Sequence, residues 1–285
     1  MAEHVIIGAG SIGTNVARLL VERGDSVRIV TRSGSGPAHP LVERVAADAS
    51  DPLRMTQLSR GAKAIYHCAN PTSYTLWERL SPPLRTAVIA AAKANDAVLA
   101  LTGSLYAYGP QPDGRMDEHT PMSATGRKGR LRKRMWEQAL GAGIRTTEVR
   151  GSDYIGKDAV GIYSMLIEPA LKKGRAAWIT GHLDMPHTFT FNGDMAKTLV
   201  TLARTNAHGV GPGTCRPHQP SPSASSHDAT PSPRAGRRPN WSSCPASRCA
   251  RPGWSCPSPA RRPRWTTSGT RRSTWTRQKR RKPSA

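Results

Sequence analysis

The chain has 285 residues, enough for one large or two small domains, and its 42 Lys+Arg against 19 Asp+Glu give a formal charge of +23. Such a charge points first to nucleic acid, but 16 of the basic residues and only one acid, Asp228, fall in residues 211–285, which leaves residues 1–210 at +8. No apolar run reaches membrane-spanning length and the first strand starts too early for a secretory leader, so a cytoplasmic chain with no membrane partner is expected.

The first element is a short apolar run, His4-Val5-Ile6-Ile7, which reads as a buried strand. Gly8, Gly10 and Gly13 follow it, and Ile12, Val16, Leu19 and Leu20 then recur at helical spacing up to Gly24. A strand, a Gly-x-Gly-x-x-Gly turn and a helix form the dinucleotide fingerprint. Gly8 permits the tight turn, Gly10 lets a pyrophosphate approach the backbone, and Gly13 lets helix and strand pack closely. Ser11 and Ile12 open the helix, whose free N–H groups and positive dipole end favour phosphate.

Ser26 to Thr31 reads as the second strand. Enzymes that prefer NAD typically end this strand in a carboxylate for the ribose 2′-hydroxyl. Here it ends in Thr31-Arg32-Ser33, and a guanidinium suits a 2′-phosphate, so NADP is slightly favoured over NAD. The alternative is that Arg32 is a solvated loop charge. Val42 to Ala46 reads as a third strand followed by Asp48, and Pro52 opens a short helix to about Arg60. Ala64 to Cys68 is a fourth strand. Ser81 is placed as an N-cap with Pro82 at the first helical position. Ala97 to Thr102 is a fifth strand, and the alternation predicts an α/β fold with a doubly wound parallel sheet.

Beyond the fifth strand lies Gly103-Ser104-Leu105-Tyr106-Ala107-Tyr108-Gly109, where an open α/β sheet places its ligands. The glycine fingerprint, the strand ending His67-Cys68-Ala69, and Ser104 four residues before Tyr108-Gly109 carry a resemblance. With Arg150-Gly151-Ser152-Asp153-Tyr154-Ile155-Gly156, His187 to Phe191 and Asp194-Met195-Ala196, they resemble the extended short-chain dehydrogenase/reductases, which include the NAD-dependent epimerase/dehydratases. The resemblance spans residues 3–205. It implies a Rossmann-type domain over residues 1–150 and a partial substrate-binding segment over residues 151–210. It also implies that Gly8, Gly10 and Gly13 hold a pyrophosphate, Arg32 the adenosine ribose or its phosphate, and Asp48 the adenine. Ala69 would line the cofactor, and Ser104 would hydrogen-bond a reacting carbonyl or alcohol. Asp48 as a turn former, Ser104 as a loop hydroxyl and Cys68 as a core residue are the bland alternatives.

The superfamily's proton-transfer pair is a tyrosine with a lysine four residues later on one helix face. Thr125 and Gly129 occupy those places, and no Tyr-x-x-x-Lys occurs between Ser104 and Arg145. A threonine hydroxyl is a poor acid or base near neutral pH. Tyr106 and Tyr108 are the candidate donors, and Lys128 or Lys133 the candidate cations, in a basic run that otherwise reads as a solvated helix face. The pattern resembles the atypical branch of the superfamily, which contains both enzymes with altered chemistry and redox-sensing binders.

Val160 to Lys173 reads as helical, divided at Pro169, with strands at Ala176 to Thr180 and Thr188 to Phe191 and a helix from Gly193 to Arg204. His182 and His187 are too irregularly spaced for a metal pair, and no metal is expected. Residues 211–285 contain no Val, Ile, Leu, Met, Phe or Tyr, so no core can be written for them. Of these 75 residues, 67 are types whose codons carry G or C at the middle base, the signature of a shifted frame in a GC-rich gene. The tail reads as disordered, out-of-frame sequence that binds polyanions without specificity. The rival is an evolved nucleic-acid-binding arm. The substrate is a small molecule that the sequence does not name, and homo-oligomer formation stays open.

Overall fold

The computed structural model describes residues 2–111, 116–161, 163–177 and 186–207. Residues 211–285, for which a disordered basic tail was expected, lie outside the described residues. So does most of the strand expected at Ala176 to Thr180.

Six strands form one parallel sheet in the order β3-β2-β1-β4-β5-β6. They are β1 (His4–Ile7), β2 (Val27–Thr31), β3 (Val42–Ala46), β4 (Ala64–His67), β5 (Val98–Ser104) and β6 (Thr146–Gly151). The order reverses between β2 and β4, on either side of β1, and so creates the switch-point crevice of doubly wound sheets. β1 and β4 are buried along their whole length, as expected for strands covered on both faces.

One face carries α2 (Pro52–Leu58), α3 (Trp77–Ala94) and α4 (Arg127–Leu140), which enclose Ile7, Ile65, Leu99 and Leu101 with Val88 and Trp136. The other carries α1 (Ser11–Val21) and α6 (Asn192–Ala207), where Val16, Ala17 and Leu20 meet Met195, Leu199 and Ala203 over Ile6, Ile29 and Tyr66. α6 therefore returns from the far end of the chain's described part to cover the same face of the six-stranded sheet as α1. β7 (Asp153–Ile155) and β8 (Phe189–Phe191) pair in parallel as a separate two-stranded sheet.

Two local expectations change. Helix α3 begins at Trp77, with Pro82 and Pro83 inside it and Leu76 at the N-cap position; Ser81 is a buried helical residue. A 3-10 turn at Tyr74–Leu76, capped by the Ser73 hydroxyl, leads straight into the helix. The Trp77 indole is anchored by donating to the Pro71 carbonyl at 3.3 Å. That anchorage moves the start five residues ahead of Pro82. Residues Tyr163–Ile167 form a π-helical turn that runs into α5 (Glu168–Lys172), where Pro169 sits in the first turn, a position that tolerates its missing N–H.

The β1–α1 turn depends on close contact. Gly8 adopts φ +96°, a left-handed conformation suited to glycine, and a Cβ there would stand 2.9 Å from the Ala69 backbone. A Cβ on Gly13 would stand 2.0 Å from the Gly8 carbonyl oxygen. Gly13→Ala is therefore expected to lower unfolding stability by about 1–3 kcal/mol through overpacking, read as a lower urea midpoint at unchanged slope.

Candidate active site

A cleft of about 1500 Å³ runs along the carboxyl ends of the strands. Gly8, Gly10, Ser11 and Ile12 line it at the start of α1. Gly13 does not; it holds the helix down on the turn. Gly10 caps α1 without a side-chain hydrogen bond, and nothing lies within 4 Å of where its Cβ would be. The first-turn N–H groups have no helical partner, and open space faces them. A cradle that a side chain would fill, beside a helix N-terminus, fits an anionic group.

Thr31, Arg32 and Asp48 line one end of the cleft. The Thr31 hydroxyl donates to the Ser35 carbonyl at 3.1 Å. Asp48 Oδ1 accepts from the Ser50 N–H at 2.9 Å and from its hydroxyl at 2.8 Å. Those two bonds, and then the charge of Arg32, hold the Asp48 carboxyl below its usual range. Arg32 itself is exposed and makes no ion pair among the described residues. Ala69 lines the middle of the cleft beside Cys68, whose thiol burial pushes up to about 12, so it stays protonated and is no nucleophile at neutral pH.

At the other end β5 delivers Ser104, whose Oγ is buried with no partner among the described residues. Tyr106 lines the cleft and donates from its hydroxyl to the Tyr74 hydroxyl at 3.1 Å. Burial, then Tyr74, pushes the Tyr106 phenol upward, which keeps it protonated. Its ring packs edge-on against Trp77 at 5.6 Å. Tyr108 has a different place. It is fully buried away from the cleft lining, and its hydroxyl accepts from Arg150 Nη1 at 2.9 Å. Thr125 is exposed outside the cleft lining, and its carbonyl accepts from Arg130.

Gly129 faces inward from α4, where a Cβ would stand 2.3 Å from the Ala124 Cβ and 2.5 Å from the Tyr106 carbonyl oxygen. No side chain fits at that position. The cation that α4 does bring to the cleft is Arg132. Its Nη2 donates to Asn70 at 2.7 Å, and its guanidinium lies 4.1 Å over the Trp77 ring. Lys128 sits over Tyr74 at 4.3 Å, and Lys133 pairs with Glu137 on the helix surface at 3.9 Å. Arg132 was hidden inside a run read as a solvated face. The sign that could have found it is spacing: Gly129, Arg132 and Trp136 fall at i, i+3 and i+7, on one face of α4. Asp153 also lines the cleft, and its carboxylate meets His187 Nε2 at 2.9 Å; His182 lies outside the described residues.

A model of the NAD dependent epimerase/dehydratase family matches residues 5–215. The chain belongs to that family. No curated protein matches it, but solved structures share its fold. The Bordetella bronchiseptica enzyme WbmH in complex with NAD+ is 22% identical, with a TM-score of 0.62, over 77% of this chain and 74% of that one. dTDP-glucose 4,6-dehydratase from Bacillus anthracis in complex with NAD is 15% identical, with a TM-score of 0.61, over 72% and 73%. UDP-N-acetylglucosamine 4-epimerase from Methanobrevibacter ruminantium is 17% identical, with a TM-score of 0.60, over 72% and 74%. No helix among the described residues is long and apolar enough to cross a membrane.

Beneath the floor of the cleft, this epimerase/dehydratase-family chain buries a cluster of ionisable groups. His67 ends β4, Glu148 and Arg150 sit on β6, and Arg85 reaches in from α3; all four are buried. Burial, then Arg85 and Arg132, pushes the His67 imidazole well below its usual range, so it is neutral at pH 7. Unfolding exposes an imidazole that takes up a proton below about 6.5, which the folded site refuses. The unfolded state then binds more protons, so stability is present above that pH and is lost as pH falls below it. His4, shifted the same way mainly by burial, adds to the loss. Thermal melts from pH 7.5 to 5.5 should therefore fall, and His67→Gln should flatten that slope by up to about 1.4 kcal/mol per pH unit.

Proposed function

We propose that the protein is an NAD(P)-binding oxidoreductase or epimerase of this family with an atypical proton-transfer site. The observation that carries the reading is the open cradle at Gly10, facing the N-terminus of α1 and continuous through one cleft with Ser104. Gly8, Gly10, Ser11 and Ile12 would hold the pyrophosphate, and Gly13 would keep the turn closed beneath it. Thr31, Arg32 and Asp48 would hold the adenosine, and Ala69 would line the path to the reacting end. Arg32, without a carboxylate at the end of β2, supports NADP over NAD. When bound, the cofactor supplies hydride exchange at nicotinamide C4.

The chain's own residues do the rest. Ser104, with a buried and unpartnered hydroxyl, would donate to the substrate oxygen. Tyr106, protonated and linked to Tyr74, would be the proton donor in place of the missing helix tyrosine. Arg132 would supply the fixed positive charge that Gly129 cannot. The aromatic wall of Tyr74, Trp77 and Tyr106 would exclude water from that end. A non-catalytic NADP-binding sensor is the second reading, supported by the absence of any side chain at Gly129 and by the exposed position of Thr125.

Fluorescence titration should show NADPH binding at least as tight as NADH. Gly10→Val, which fills the cradle, should weaken both at least tenfold, whereas Arg32→Ala should weaken NADPH alone by about tenfold, the loss of one charge-assisted contact. Consumption of NADPH over a panel of carbonyl and sugar-nucleotide substrates should be slow, and Ser104→Ala and Tyr106→Phe should each lower it by about a hundredfold. Tight binding with no turnover on any substrate would favour the sensor. Brisk turnover unaffected by Tyr106→Phe would remove Tyr106 from the donor role.

A further inference from the structure

The buried cluster below the cleft is out of charge balance. Arg85, Arg132 and Arg150 bring three guanidinium groups together, and Glu148 is the one carboxylate that faces them among the described residues. Glu148 Oε2 accepts from Arg150 Nε at 2.5 Å. Arg150 Nη1 goes to Tyr108, and its Nη2 has no partner. Arg85 is 1% exposed, and neither its Nε nor its Nη1 has a partner. Burial lowers its pKa to about 10, so it remains charged at pH 7. Arg132 is bonded to neutral Asn70, and its Nε is unpartnered. His67, among them, contributes no compensating charge.

The cluster lies directly under the reacting end of the cleft. The Glu148 carboxyl packs against Gly103, where a Cβ would stand 2.8 Å from its Cδ, and Gly103 lines the cleft beside Ser104. Arg132 lines the cleft itself. Charges held in a buried setting are weakly screened, so a net positive field reaches any group bound above this floor.

We propose that this buried excess of positive charge makes the cleft select the reduced, uncharged nicotinamide over the oxidised, cationic one, so that the protein holds NAD(P)H more tightly than NAD(P)+. The proposal rests on the cofactor reading above. The two forms share adenosine, ribose and pyrophosphate, so contacts at Gly10, Arg32 and Asp48 cancel in the comparison. What remains is one positive charge on the oxidised ring, set against Arg85 and Arg150 with the single Glu148 carboxylate below it and Arg132 in the cleft wall, where Asp153, paired with His187, is the opposing charge. Arg85 and Glu148 act here through the field. Neither lines the cleft.

The test is calorimetric titration of the full-length protein with NADPH, NADP+ and, as a ligand without nicotinamide, 2′-phospho-ADP-ribose. The expected result is NADPH binding at least tenfold tighter than NADP+. Arg85→Met should shrink that ratio at least threefold, Arg85→Lys should keep it, and Glu148→Gln, which retains an acceptor for Arg150, should widen it at least threefold. Affinity for 2′-phospho-ADP-ribose should stay unchanged in all three variants. Arg85→Met removes a buried charge with unpartnered donors, so its melting temperature should hold or rise, which separates a field effect from misfolding. Equal affinity for the two nicotinamide forms, or a ratio unmoved by Arg85→Met and Glu148→Gln alike, would overturn the proposal while leaving the cofactor reading intact. Failure of every dinucleotide to bind would overturn both.

Discussion

The site depends on the contact between α1 and the turn that precedes it. Gly13 lies so close to the Gly8 carbonyl that no Cβ fits between them, and Gly8 in turn lies against Ala69 at the end of β4. These contacts draw the helix N-terminus to the edge of the sheet and align two strand ends under it. Without them the first-turn N–H groups would point elsewhere, and the cleft between the two halves of the sheet would lose the open cradle at Gly10. Gly10, by contrast, is packed against nothing, which marks it as the glycine whose missing side chain serves the cleft and not the fold.

A similar close approach reshapes the other end of the cleft. α4 comes down on the Tyr106 carbonyl and Ala124 through Gly129, and this proximity leaves no room for a side chain there. The same approach carries Arg132, one turn further along the helix, over Trp77 and into the cleft. A small residue at the contact and a long cationic one beside it are thus a single arrangement. Packing admits the helix, and the helix delivers the charge.

Burying Arg85 and Arg150 against one carboxylate, with Arg132 half-buried beside them, works against stability, because desolvation of each ion is offset only where partners are complete. Arg150 has Glu148 and Tyr108, but Arg85 has donors with no acceptor. An apolar residue would pack on α3 at less cost. The arrangement concentrates at the carboxyl end of the sheet, under Gly103 and Ser104, while the rest of that layer is aliphatic and aromatic. The polar strain in the core therefore coincides with the region where function is proposed.

The sequence by itself determined the layering. Apolar runs at His4 to Ile7 and Ala64 to His67, the glycine string and the helical spacing after it are local signals, and the parallel sheet with its switch point follows from their alternation. It also marked Gly8, Gly10, Arg32, Asp48 and Ser104, which all reach the cleft, because strand ends in such a sheet have one place to go. The start of α3 was not legible, since Pro82 reads locally as a first-turn residue and only the buried Trp77 indole moves the start upstream. Tyr106 and Tyr108 are indistinguishable in sequence, two residues apart on one loop. The 3-10 turn at Leu105–Ala107 sends one to the cleft wall and the other into the core beside Arg150. The basic run on α4 likewise reads as solvent-facing, and the buried Arg85 of α3 carries no local mark. The spacing of Gly129, Arg132 and Trp136 marks one face of α4, but which face turns inward, and with it which cations enter the interior, is set by where α3 and α4 meet the sheet, a long-range packing outcome.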